Sequence, residues 1–281
     1  MNLTSIIFNF KIKMKKTKKN LTLLLLLVAF NVSALETQKT MATSSLWHDL
    51  VTPNLEISKA FYGNLLGWTF EDQNFKGFSY TLIKNNTETI GGMIEISSAK
   101  SSVWITSLIV SPKEMREKIK LALAAGCTLA TKPLKIAGRG KQVIFESPQG
   151  EEFAFITETP GSVDNNGDWI GMELWSDNPE KSATLYKDTF ELTVSESLFD
   201  KKPYWVFKEQ GNSVAGMVKN PIKNQKSQWV PYLKNTNPTQ VISSVTNLGG
   251  FVILTPTETI RNGKLGIFQD PNGAILCIQS K

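Results

Sequence analysis

Beyond residue 45 the chain switches repeatedly between two hydrophobic periods. Trp47 to Val51 alternates as a short strand does and turns at Pro53–Asn54. Ile57, Phe61 and Leu65, flanked by Tyr62 and Leu66, then fall at helical spacing, which turns one stripe toward a core. Asn54 suits the N-cap, because its side-chain oxygen can take a free first-turn N–H. Glu56 suits the positive end of that helix, and Gly67 can take the left-handed conformation that ends it. Strands are predicted next at about 78–84 and 91–96. The same order then repeats. VWITSLIV opens at Val103, Ser111 and Glu114 form a capping box with Pro112 at the first helical position, and the helix ends at Gly126. Strands follow at 128–130, 142–146 and 152–156.

The whole pattern recurs at an offset of 124: Leu50 matches Leu174, Asn54 matches Asn178, Glu56 matches Glu180, Ser58 matches Ser182 and Tyr62 matches Tyr186. Gly92–Met93 matches Gly216–Met217, and Trp104 matches Trp229 one residue out. SPQG at Ser147 matches DPNG at Asp270. In the last quarter Asn237–Pro238 starts a helix and Gly249–Gly250 ends it. The reading is a tandem duplication of four βαβββ units in two domains, 44–158 and 168–281, each of about 120 residues and large enough for its own core. ETPGSVDNNGD, from Glu158 to Asp168, is the linker.

Several motifs carry a family likeness: AFYGNLLGW at Ala60, IGGM at Ile90, AAGC and LGG after helices, and SPQG and DPNG before last strands. In these the chain resembles the vicinal oxygen chelate superfamily, which includes glyoxalase I, bleomycin-resistance proteins and extradiol dioxygenases. The resemblance implies an α+β fold in which tandem βαβββ units pair into two U-shaped eight-stranded sheets with helices outside and a ligand on each concave side. It also implies a divalent metal in catalytic members, held by His, Gln or Glu. Carried over by position, the ligand places are Trp47 and Glu95, Ile105 and Ala154, Gly171 and Lys219, Val230 and Cys277. Glu95 alone is a ligand of the family's type, and a cation needs three or four donors. The expectation is therefore no metal and no cofactor, the alternative being one divalent metal with Glu95 as its family-like ligand.

Charge changes the picture little. The net charge of +6 arises in residues 1–34, which hold six Lys and no acid; the remainder has 25 basic against 25 acidic residues. That removes the motive for a nucleic-acid or membrane-surface partner. The basic run from Lys11 to Lys19, the apolar run from Leu21 to Phe30 and Val32-Ser33-Ala34 have the order of a secretory signal. Residues 1–34 are expected to be a signal peptide, leaving a periplasmic or secreted protein that starts at Leu35. Cys127 and Cys277 fall in apolar strand patterns and are expected to be buried thiols.

Strand parity assigns the candidate site. Leu50 and Leu174 should pack under helices, and His48, the chain's one histidine, and Met172 share their side. Trp47, Asp49 and Val51 should then face the first cleft, and Gly171, Glu173 and Trp175 the second. Tyr80, Glu95, Trp104, Trp205, Trp229 and Tyr232 complete the expected ligand-binding set, an aromatic wall with a few polar groups. Catalytic residues are not assignable. Gly138-Arg139-Gly140-Lys141 and Asn262-Gly263-Lys264 read as hairpin turns, since no phosphate-loop spacing or following helix is present. Two functions compete: a metal-free exported module binding a small organic ligand, and a lyase, isomerase or dioxygenase using either a metal or Asp49 or Glu173 as base.

Overall fold

The computed structural model describes residues 46–75, 78–136, 140–158, 168–199, 202–209 and 211–280. The expected leader, most of the linker and Gly138–Arg139 lie outside them. The first sheet is built from β1 (Leu46–Thr52), β2 (Thr69–Phe75), β3 (Phe78–Asn85), β4 (Glu88–Glu95), β5 (Val103–Ile109), β6 (Thr128–Leu129), β7 (Leu134–Ile136), β8 (Gly140–Glu146) and β9 (Glu152–Ile156). Its order is β2-β3-β4-β1-β5-β9-β8-β6, and β7 pairs with β8 as a ninth strand that the eight-stranded expectation lacked. The second sheet holds β10 (Trp169–Ser176), β11 (Thr193–Phe199), β12 (Lys202–Glu209), β13 (Asn212–Lys219), β14 (Gln228–Lys234), β15 (Phe251–Leu254), β16 (Leu265–Gln269) and β17 (Ile275–Gln279). Its order, β11-β12-β13-β10-β14-β17-β16-β15, repeats that of the first. Both sheets are curled.

The helices are α1 (Leu55–Leu66), α2 (Pro112–Ala124), α3 (Pro179–Phe190) and α4 (Pro238–Val245). Their starts follow the sequence. Asn54, Asn178 and Asn237 each accept a backbone N–H three residues on, at 3.0–3.1 Å, and Ser111 and Glu114 close a capping box. Gly67 ends α1 at φ 73°. One detail differs. Ile57 is exposed, and Ser58 takes the buried position because its hydroxyl meets Thr52 Oγ1 at 2.8 Å; Ser182 and Ser176 repeat that contact in the second domain.

The helices lie behind the sheets, on the outer side of each curl, where those of one domain also meet those of the other. Phe61 and Leu65 of α1 share one core with Ile242 and Val245 of α4 and with Phe268 and Leu276 of the second sheet. Met115 of α2 shares another with Leu185 and Phe190 of α3 and with Phe153 of the first sheet. A helix stripe bordered by two sheet backs buries more apolar surface than one sheet offers, at roughly 25 cal/mol per Å². The turn read at Asn262–Lys264 is the end of a longer connection, 255–264, between β15 and β16, in which Arg261 and Asn262 adopt left-handed φ of 47° and 53°.

Candidate functional site

β1 and β10 hold equivalent central places. Each runs parallel to the last strand of its own unit and antiparallel to the first strand of the next, so Asp49 lies between Gly92 and Ile105, and Glu173 between Gly216 and Val230. Strand alternation then fixes the sides as expected. Leu50 and Leu174 pack on the helix side, Met172 joins them, and His48 is fully buried with its ring 4.5 Å from that of Trp169. His48 Nδ1 lies 3.2 Å from Thr106 Oγ1, and burial pushes its pKa down to about 3, although the Asp49 charge opposes this. The imidazole is a neutral packing group.

Asp49 and Glu173 turn to the inner faces. They do not line open clefts there: both carboxylates are 1% exposed, enclosed by hydrogen-bond donors. Asp49 Oδ1 accepts from Tyr80 Oη at 2.6 Å and Trp47 Nε1 at 3.0 Å, and Oδ2 accepts from Gln142 Nε2 at 3.3 Å. Glu173 Oε2 accepts from Trp175 Nε1 at 3.0 Å and Tyr232 Oη at 3.2 Å. Tyr204 also donates to it, and Arg261 interacts with its charge. Burial raises the Glu173 pKa, while the Arg261 charge and the three donors pull it back. The Arg261 guanidinium sits 5.1 Å from the centre of the Tyr232 ring and hydrogen-bonds Gln279.

The structure thus groups Trp47, Asp49 and Tyr80 on one inner face, and Glu173, Trp175 and Tyr232 on the other. The remaining candidates are elsewhere. Trp104, Trp205 and Trp229 face the helix side: Trp104 Nε1 donates to Tyr62 Oη at 3.2 Å, Trp229 Nε1 donates to Tyr186 Oη at 2.8 Å, and Trp205 joins the helix-side core. Their partners across the strands, Leu50, Met217 and Leu174, already face that way. Glu95 shares the side of Met93 and accepts from Leu55 N at 2.9 Å, at the start of α1. It is a helix-terminus acid turned away from the inner face.

Three residues of the clusters were not anticipated. Tyr204 was legible, since it stands at the same offset of 124 from Tyr80. Gln142 and Arg261 carry no repeat signal.

The curated relatives agree with the architecture. One, CFP32 of Mycobacterium tuberculosis (strain CDC 1551 / Oshkosh), is named provisionally as a glyoxylase; it is 22% identical over 243 residues, which are 83% of this chain and 92% of that protein. Another, the anthracycline biosynthesis protein DauV of Streptomyces sp. (strain C5), is 23% identical over 81% of this chain and 90% of its own length. Among solved structures, the Mn(II)-bound glyoxalase from Novosphingobium aromaticivorans superposes with a TM-score of 0.58 at 14% identity, covering 84% of this chain and 82% of that one. The 2,3-dioxygenase LapB from Pseudomonas sp. KL28 gives 0.59 at 13% identity, covering 85% and 94%.

The fold is that of the vicinal oxygen chelate superfamily.

No family model matches the chain. Within this superfamily fold the places that the resemblance gave to metal ligands hold little that binds a cation. Among the described residues, no three of His, Cys, Asp and Glu come together. The buried Asp49 and Glu173 on the inner faces are wrapped by N–H and O–H donors, and Glu173 also faces a guanidinium. Such a donor set suits a carboxylate and repels a divalent ion, which needs several oxygen, nitrogen or sulfur acceptors.

Proposed function

We propose that this chain is a metal-free small-molecule binder on the vicinal oxygen chelate fold. Its organic ligand is held on the inner face of the second sheet, against Glu173, Tyr204, Tyr232 and Arg261. The observation that carries this reading is the content of the inner faces. Where a cation would need convergent acceptors, each has one buried acid, hydrogen-bond donors and aromatic walls. The second face is favoured because Arg261 lies on a strained connection. Left-handed backbone at two successive non-glycine residues persists where the surroundings impose it, as at ligand clamps. Movement of 255–264 would admit the ligand, which then meets an acid, two phenols and a guanidinium against tryptophan.

A relative named for anthracycline biosynthesis fits a small-molecule role, and one named for glyoxylase fits an enzyme. The enzyme reading has one specific observation behind it: burial raises the Glu173 pKa, as a general base requires. The leader-like pattern of residues 1–34 supports a periplasmic or secreted location, for which the mass of the exported protein should begin at Leu35.

Elemental analysis and a thermal-shift screen of small organic compounds test both readings. The expected result is no stoichiometric Zn, Mn, Fe or Ni, with stabilising hits that Glu173→Gln and Tyr204→Phe abolish. About one equivalent of metal per chain, lost on changing Glu173 or Glu95, would overturn the metal-free reading. Turnover of a hit, lost in Glu173→Gln, would make the protein an enzyme.

A further inference from the structure

A cavity of about 420 Å³ lies between the two domains, behind both sheets and apart from the inner faces. That volume is within the range of small-molecule pockets. Its walls are Phe153 and Phe155 of β9, Met172 of β10, Tyr186 and Phe190 of α3, and Trp229 of β14. The rings already pack edge-on, Phe153 to Phe190 at 5.2 Å and Tyr186 to Trp229 at 5.2 Å, so they form fixed plates.

The polar groups in these walls are already paired. Tyr186 Oη donates to Glu151 Oε1 at 3.1 Å and accepts from Trp229 Nε1, and Thr106 Oγ1, also in the lining, meets His48 Nδ1. An occupant therefore needs no hydrogen bonds inside, and its body must be apolar and ring-like. The mouth is different. Its charged residues are Glu114, Lys118, Glu191 and Glu209, three carboxylates against one ammonium. Glu114 belongs to the capping box and Lys118 pairs with Glu191 at 3.1 Å, spanning the two domains across the opening. A positive group at the mouth gains from this excess, and aromatic walls favour cations as well.

We propose that this interdomain cavity is a second ligand site, for a planar aromatic molecule carrying a cationic amine. The site is independent of the inner-face reading.

The probe is proflavine, a three-ring aromatic cation, titrated into the full chain and followed by its fluorescence. The expected result is one saturable site whose affinity falls at high salt, with an anionic naphthalene sulfonate binding at least roughly tenfold more weakly. Glu209→Lys reverses an exposed charge at the mouth without touching the core and should weaken proflavine binding roughly fivefold. Ala215→Met fills part of the cavity with a flexible side chain and should abolish binding. Should that variant fail to fold, Glu209→Lys carries the test. Glu173→Gln should leave proflavine binding unchanged, which separates this site from the inner face. No saturable binding to the intact chain, or unchanged affinity in Glu209→Lys, overturns the proposal. Loss in Glu173→Gln with no effect of Glu209→Lys or Ala215→Met would move the dye to the inner face and overturn it equally.

Discussion

Tyr186 Oη donates to Glu151 Oε1 at 3.1 Å, from a helix of the second domain to the turn before the last strand of the first. The reverse contact also exists: Tyr62 Oη of the first domain donates to Asp270 Oδ2 of the second at 3.3 Å. Each phenol accepts from an indole of its own domain, Trp229 or Trp104. Two Trp–Tyr–acid chains thus cross the domain boundary in opposite directions. All six side chains are buried, so each of these hydrogen bonds is made out of water.

Tyr62→Phe and Tyr186→Phe should each destabilise the protein by about 1–3 kcal/mol, because each leaves a buried carboxylate short of its donor and an indole N–H unpaired. The two chains share no residue. The double variant should then lose the sum within about 0.5 kcal/mol. Urea denaturation of the four proteins measures this, and a double loss well below the sum would show that the two contacts are not separate.

Asp270 should make part of the stability fall as pH rises. Burial raises its pKa from the ordinary 3.8 to about 6, against the pull of backbone N–H groups and Tyr62. The folded state then holds its proton more tightly than the unfolded one. Its contribution is fully present below about pH 3.8 and is lost as pH climbs through 6, by up to about 3 kcal/mol at 1.4 kcal/mol per unit. Asp270→Asn keeps an acceptor for Asn272 N and Ala274 N but cannot ionise. Denaturation between pH 4 and 7 should show the variant gaining on the natural protein, and parallel curves would refute the shift.

The sequence revealed the fold because a helix stripe and a strand alternation are local, and the offset of 124 repeated them. Asn54, Asn178, Ser111 and Gly67 needed nothing beyond neighbouring residues to take their roles. Strand parity placed Asp49, Glu173, His48 and Met172 on the right faces for the same reason. It could not say that the inner faces are filled, since the donors around Asp49 come from three strands, β1, β3 and β8, and Gln142 is 93 residues away. Trp104 and Trp229 have the chemical type of a pocket wall, but each stands opposite a leucine that points to the helices. The sharing of helices between two sheets is a long-range fact with no local signature.

His48 should act in the opposite sense to Asp270. Burial lowers its pKa from 6.5 to about 3. Its contribution is fully present above pH 6.5 and is lost as pH falls toward 3, because the unfolded chain takes the proton first. Between pH 6.5 and pH 5 this amounts to about 2 kcal/mol. His48→Gln should lack that slope, lose some stability at pH 7 through the contacts with Trp169 and Thr106, and leave ligand binding intact. Loss of binding in a variant that still folds would instead give the histidine a direct role.

Gly216 and Tyr204 give the most direct test of how the inner face is built. A Cβ at Gly216 would lie 1.9 Å from Tyr204 Oη and 2.7 Å from Cζ; at Gly92 it would lie 1.8 Å from Tyr80 Oη. Each glycine therefore provides the space through which a phenol reaches the acid on the neighbouring strand. The strand backbone at Gly216 has no need of a left-handed residue, so Gly216→Ala would be tolerable there on conformational grounds alone. Displacing the phenol instead takes a donor from Glu173, at a cost of about 1–3 kcal/mol. Tyr204→Phe removes the oxygen that clashes, and with it the same hydrogen bond. In the double variant Gly216→Ala, Tyr204→Phe the losses should accordingly fall below the sum by at least about 1 kcal/mol, the remaining clash with Cζ keeping the rescue incomplete. At Gly92 and Tyr80 the rescue should be smaller, because the added Cβ would also lie 2.2 Å from Tyr80 Cζ and 2.7 Å from Asp49 Oδ1. Additive losses at Gly216 and Tyr204, measured by urea denaturation, would mean that this glycine serves the backbone and not the phenol, and would remove the acid–tyrosine cluster as the organising feature of the second inner face.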